Sequence, residues 1–423
     1  MVSFLLKCYT RFIYFYQQAF GKYYHRRALK RVKGKDVLRC VFFATFEDTW
    51  KYEGVYRLMK NSKRFDPIVL VCPIVNYGYE NMIRRMDQCY SFFKESGYVV
   101  QKAYDRSTNH YVDVRKELKP DIVFYTNPYE GLIDPRYFIH HFKDVLTVYV
   151  PYFFNETADF ELAYNEFLHN VVWRRYLETN MHKKWAVEYS RSRGRNVVVS
   201  GYPGIEPLIY GSVKPLGNAW KIKDGRLKRI IWAPHHSIYA TEVCRYASFL
   251  MICDVMVEMA KKYRDQVQFA FKPHPVLRNK LETVWGKEKT NLYYEEWAQM
   301  PNTTLVEGDY IDLFLSSDAM IHDSGSFIAE YLCLNKPVIR TLNGVDLKLL
   351  HNEFGLQCLE NHYMAHNAEE LDQFIQNVIH DVDPMKEVRT KFIHDVLIPN
   401  RCPSQSIIDD ILDSIENQIV YRN

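Results

Sequence analysis

No stretch of this chain approaches the ~20 consecutive apolar residues that crossing a bilayer requires, and its first residues lack the long apolar core and small-residue cleavage site of a secretory signal. Charge of one sign is missing too. With 55 basic and 51 acidic residues the net charge is only +4, so nothing in the overall balance points to nucleic acid. Cysteine is sparse and unpatterned: the nine, at 8, 40, 72, 89, 244, 253, 333, 358 and 402, are odd in number, and none stands at metal-ligand spacing from another. A reduced, cytosolic chain without disulfides is expected. Internal repeats and low-complexity tracts are absent as well.

Aromatic residues are plentiful, at 15% of 423 residues with 32 Tyr and 25 Phe. Residues 1–35 stand out. They begin as a segment rich in Phe, Leu, Ile and Tyr and continue into a basic run of Lys22, His25, Arg26, Arg27, Lys30, Arg31, Lys33 and Lys35. Such a segment suits contact with an anionic membrane surface, and equally a helix packed on the body of the protein with a solvated basic face.

From residue 36 short apolar runs alternate with amphipathic stretches. Strands are expected at Leu38–Thr45, Ile68–Pro73, Tyr98–Lys102, Asp121–Thr126, Val145–Val150 and Asn196–Ser200, with helices around 50–62, 79–96, 109–118 and 180–193. Residues 201–228 hold clustered prolines and glycines without a period, and read as a linker. Alternation resumes with strands at 229–233, 267–272, 303–306, 318–322 and 337–341 and helices at 241–263, 277–300, 310–316 and 326–334. The expected fold is α/β: one Rossmann-like domain over 36–200 and a second over 229–400. Each is a doubly wound parallel sheet, with a cleft between them. A C-terminal helix over 401–423 is expected to pack back on the first domain.

Chemistry concentrates at strand ends of the second half, the edge where open parallel sheets bind ligands. Ile-Ile-Trp-Ala-Pro-His-His-Ser, residues 230–237, brings His235 and His236 out of one strand; Phe-Ala-Phe-Lys-Pro-His-Pro-Val, residues 269–276, brings Lys272 and His274 out of the next. A histidine donates to phosphate oxygen or moves a proton when its pKa is tuned, and a lysine neutralises a diphosphate as a point charge. Asp323-Ser324-Gly325-Ser326 then separates a buried strand from a helix. Unhindered backbone N–H groups at such a turn accommodate an anion, although a plain capped turn has the same pattern. Glu330, four residues after Ser326, shares its helical face and is placed to reach a ribose diol.

In this order, Ala-Pro-His, Lys-Pro-His-Pro, Asp-Leu-Phe-Leu-Ser-Ser-Asp, Asp-Ser-Gly-Ser, Glu-Tyr and Lys-Pro-Val, residues 196–342 resemble the CDP-glycerol glycerophosphotransferases of teichoic acid and capsule synthesis. The resemblance implies a GT-B fold whose first domain is the acceptor side and whose second binds a nucleotide-diphosphate donor, CDP-glycerol or a nucleotide sugar; with a helix start and histidines in place of a cation, no metal or other cofactor is expected. It places Ala233, Pro234 and His235 on the family's Ala-Pro-Thr segment, His274 and Pro275 on its His-Pro, and Asp323, Ser324, Gly325 and Ser326 on its Asp-Tyr-Ser-Ser turn. Transfer of glycerophosphate, or of a sugar as the alternative, to a cell-envelope glycan or lipid-linked acceptor follows, on the inner face of a bacterial membrane. The family's amino-terminal His-Gly-Thr-Pro, whose histidine is taken as the acceptor-activating base, is missing. At the corresponding strand end the chain reads Val-Tyr-Val-Pro-Tyr-Phe-Phe-Asn-Glu, which makes Glu156 the candidate base, with Asp159 behind it.

Overall fold

A computed structural model describes residues 2–76, 78–129, 131–211, 215–223, 225–239, 241–242, 245–308, 310–398 and 401–422. The chain divides into two compact units, one of residues 1–155, 159–204 and 399–423, the other of 156–158 and 205–398. Two of these boundaries differ from the reading of the sequence. Residues 156–158 leave the first half, because Thr157 bridges to His351 and the Ala158 amide donates to the Leu350 carbonyl. The stretch taken as a linker joins the second unit from Ile205 onward; amides of Leu216, Gly217 and Asn218 all donate to the Asp312 carboxylate, so its irregular backbone is anchored.

The first unit holds a seven-stranded parallel sheet, β1 (Leu38–Ala44), β2 (Phe65–Val71), β3 (Val100–Lys102), β4 (Ile122–Tyr125), β5 (Leu146–Tyr149), β6 (Arg174–Leu177) and β7 (Val197–Val199), in the order β3-β2-β1-β4-β5-β6-β7. Alternate residues of β1 serve opposite faces. Cys40, Phe42 and Ala44 enter one core and Val41 and Phe43 the other, as the pleat dictates. Helix α1 (Val2–Val32) contributes Ala28, Leu29 and Val32 to the first of these cores, and the C-terminal helix Pro403–Glu416 adds Ile407, Ile408, Ile411 and Ile415. The region 109–118 forms only a turn over Val114–Leu118 after a small hairpin, where a helix was expected.

The second unit repeats the plan with six parallel strands, β8 (Lys228–Ala233), β9 (Val267–Phe271), β10 (Thr303–Leu305), β11 (Ala319–His322), β12 (Val338–Thr341) and β13 (Tyr363–Ala365), ordered β10-β9-β8-β11-β12-β13. The order reverses between β8 and β11, which is the switch point where doubly wound sheets open a crevice. Register sets the two strand ends level, Ala233 facing His322, so the segments that follow emerge side by side. The expected helix at 241–263 forms only over Phe249–Lys262, and the one at 277–300 is cut in two at Gly286, whose φ of 82° is the left-handed value that glycine accepts freely.

Candidate functional site

Three histidines converge beyond the β8 and β9 ends. The His274 amide donates to the Pro234 carbonyl at 3.1 Å, tying the two loops together, and the ring centroids lie 4.2 Å apart for His235–His236, 5.3 Å for His235–His274 and 4.2 Å for His236–His274. One ring nitrogen from each falls within 4.8 Å of the others, close enough to hold a metal ion. Their hydrogen bonds favour a different ligand. His235 Nδ1 accepts from the Ser237 amide (3.2 Å), His274 Nδ1 from the Val276 amide (3.2 Å) and His236 Nδ1 from the Lys280 ammonium (2.9 Å). A neutral imidazole whose Nδ1 accepts carries its hydrogen on Nε2, so the group offers three N–H donors and no ring nitrogen with a spare lone pair. Donors of that kind suit an oxyanion; a cation needs lone pairs.

The rings are held neutral. Burial pushes His274 down to about 3, helped by the nearby charges of His236, Lys272 and Lys280, and drives His235 well below its ordinary range; His236 is lowered by burial and by Lys280. Lys280 in turn pairs with Glu242, so its charge is compensated.

The Asp-Ser-Gly-Ser turn begins where β11 ends. Buried Asp323 fastens it: Oδ1 accepts the His235 amide at 2.5 Å, and Oδ2 accepts the Ser248 amide at 2.6 Å and its hydroxyl at 2.9 Å. Ser324 is buried and its carbonyl takes the Arg340 guanidinium (3.1 Å) and the His322 Nδ1–H (3.2 Å) from below, whereas Ser326 is exposed, with its hydroxyl making no capping bond. The helix that follows, Phe327–Leu332, has six residues, so any anion affinity here comes from local N–H groups more than from a long dipole. Glu330 is buried and accepts the Tyr310 hydroxyl at 2.6 Å. Lys272 is buried too and donates to the Gly308 carbonyl at 2.7 Å, which directs its ammonium toward that loop.

Glu156, read from sequence as a first-domain base, lies in the second unit. Its carboxylate occupies the space beside Gly325, where a Cβ would collide with Oε1. Asp159 has a local task, capping the helix Phe160–Tyr164 by accepting the Leu162 amide. Around Glu156 the structure assembles residues that no local pattern connects: Arg340 on β12, His322 at the end of β11, and Tyr246, His351 and His362 from loops. Tyr246 stacks on His351 at 5.2 Å and lies 5.7 Å from the Arg340 guanidinium, and the His322 and His362 rings are 5.3 Å apart. The one signal available was an arginine inside an apolar strand, since such a residue needs buried partners.

Residues 162–397, more than half of the chain, match the family model described as CDP-Glycerol:Poly(glycerophosphate) glycerophosphotransferase. The chain belongs to this family. As a glycerophosphotransferase-family member it is a transferase, and the matched span holds every site residue described above except Glu156. Among solved structures, the S. aureus MnaA–UDP co-structure matches with a TM-score of 0.56 at 14% identity, over 92% of this chain and 99% of that one. The UDP-GlcNAc 2-epimerase from Neisseria meningitidis bound to UDP-GlcNAc gives 0.55 at 15% identity over 89% and 99%, and that from Methanocaldococcus jannaschii 0.54 at 13% over 89% and 99%. At such identities the likeness concerns the fold alone, two parallel-sheet α/β domains of the GT-B-like kind. No curated protein matches the chain.

Proposed function

We propose that this family member transfers glycerophosphate, or a related polyol phosphate, from a CDP-glycerol-like donor to a teichoic-acid-like or other cell-envelope glycan acceptor. The observation that carries the reading is the set of three Nε2–H imidazoles beside the Asp323–Ser326 turn, at the switch point of the second sheet. In a direct displacement an acceptor hydroxyl oxygen bonds to the outer phosphorus of the donor and gives up its proton to solvent, the bond from that phosphorus to the nucleotide oxygen breaks, and CMP departs with the charge. His274 and His235 donate to the oxygens on which charge grows, while Ser326 and the turn amides hold the diphosphate. Neutral donors held in place by the fold stabilise that charge without needing a metal or another cofactor.

Three features extend the reading. Glu330 and His236 belong to the donor-binding wall, Glu330 fixed by Tyr310 and His236 by Lys280. The acceptor is glycan or lipid-linked, and helix α1 leaves Phe12, Phe15, Phe20 and Tyr23 exposed beside exposed Lys22, Arg26, Arg27, Lys30 and Arg31, which supports a peripheral place on the inner face of the membrane. No described helix is long and apolar enough to cross it. A second reading, a glycosyltransferase with a nucleotide-sugar donor, draws on the missing His-Gly-Thr-Pro and on the UDP and UDP-GlcNAc held by the solved relatives.

Incubation of the purified protein with CDP-glycerol and with a panel of nucleotide sugars, each with a polyol-phosphate acceptor, separates the two. CMP release from CDP-glycerol is the expected result. Consumption of a nucleotide sugar alone, with release of its nucleoside diphosphate, contradicts the first reading and supports the second.

A further inference from the structure

Beneath the Ser324–Ser326 turn lies a buried polar cluster that the chemistry above leaves unused. Glu156 presses one carboxylate oxygen against Gly325, and its other oxygen, Oε2, is buried without a hydrogen-bond partner. Its main-chain carbonyl accepts the Asn352 amide at 2.9 Å, and a Cβ at Gly355 would stand 2.7 Å from that same carbonyl oxygen, so the segment is packed in place. Arg340, 1% exposed, spends one N–H on the Ser324 carbonyl and leaves Nε unpartnered; Nε2 of His322 and Nε2 of His362 are likewise buried and unpartnered.

The charges here are few enough to count. Asp323 is satisfied as an anion by three donors, and Arg340 balances it. Burial keeps His322, His351 and His362 neutral, with Arg340 adding to the effect, and raises the Cys358 thiol well above its ordinary value. Glu156 therefore decides whether the floor of the turn is neutral or carries one negative charge. Burial raises its carboxyl to about 7, against the pull of Arg340, so both forms are populated near neutral pH.

We propose that Glu156 is a positioning residue of the phosphate seat: it takes up one proton when a nucleotide diphosphate binds over the Ser324–Ser326 turn, and in its ionised form it opposes that binding. The proposal rests on the donor reading above. A diphosphate brings negative charge to the far side of Gly325, which favours protonated Glu156; the proton comes from the solution and no covalent bond changes. Linkage then fixes the sign. Donor affinity is greatest below pH 7 and falls as pH rises through the carboxyl's value in the free protein, by up to about tenfold per pH unit until the value in the complex is reached. CDP-glycerol is the right probe because its phosphates carry no proton in this range, while burial holds His235 and His274 well below it and lowers His236.

The experiment is calorimetric titration of the full chain with CDP-glycerol between pH 6 and 8.5, repeated in two buffers of different ionisation heat. Wild type is expected to weaken about tenfold or more across the range and to take up close to one proton at pH 7.5; Glu156→Gln, neutral throughout, is expected to bind with a flat profile and no uptake. Binding by wild type without pH dependence or proton uptake overturns the proposal and leaves the donor reading standing. A Glu156→Gln profile as steep as wild type also overturns it. Failure to bind CDP-glycerol at any pH overturns the donor reading and the proposal together. The buffer comparison on wild type alone decides the matter should the variant not fold.

Discussion

His274 shows how little of a site residue's role lies in its own side chain. Pro273 and Pro275 restrict the backbone around it, the Pro234 carbonyl takes its amide, and the Val276 amide occupies Nδ1, so the only N–H left on the ring is at Nε2. Removing that donor is expected to cost turnover and leave the fold intact. In His274→Ala, CMP release should fall about 10²- to 10³-fold, the cost seen when one preorganised oxyanion donor is lost, with the melting temperature close to wild type. Activity within a factor of about two would remove His274 from the chemistry. The histidines were legible in the sequence because each follows an apolar strand by two or three residues. Glu156 was legible only as a loop acid: its meaning depends on residues near 325, 340 and 351, and nothing local in Phe-Asn-Glu-Thr says that this segment joins the second unit.

At the scale of elements, most strands were readable because parallel strands buried on both faces form short apolar runs. β6 was not. It begins with two arginines, and the apolar pattern of a buried strand is lost where guanidinium groups interrupt the run. Arg174 reaches Asp410 (2.9 Å), Ser414 (2.8 Å) and the Val420 carbonyl (2.7 Å), all supplied by the C-terminal segment, while Arg175 donates to the carbonyls of Ala163 and Tyr164. Partners about 240 positions away in sequence cannot be inferred from the strand itself. Helix α1 raises the opposite problem, since its aromatic and basic composition is visible in the sequence and its surroundings are not. Its last turns are buried through Ala28, Leu29 and Val32, whereas the exposed aromatic and basic residues lie largely before them. We expect the full chain to sediment with vesicles containing anionic lipid, to release them as salt is raised toward 0.5 M, where screening is strong, and to lose most binding when Phe12, Phe15 and Phe20 are changed together to Ser. Equal sedimentation with neutral and anionic vesicles, or none with either, would count against membrane contact.

For the molecule as a whole, both units came through as doubly wound parallel sheets with the strand order that creates a switch point, and the family match covers the second unit almost completely. That coverage explains why the donor side was readable and the acceptor side was not. Beyond β1 and β4, at the switch point of the first sheet, the chain offers Glu47, Asp48 and Thr126, and Thr126 is committed to the Phe43 carbonyl. The family's amino-terminal histidine has no counterpart there, and a catalytic group that differs in kind from the family's leaves no motif to find. The donor side carries the central claim, that the Ser324–Ser326 turn and the three imidazoles receive the diphosphate. A crystal structure with CDP-glycerol bound decides it: phosphate oxygens are expected within about 3.2 Å of His274 Nε2 and of backbone N–H groups at Ser326 or Phe327. A donor bound elsewhere, with Nε2 of all three histidines unengaged, would contradict it.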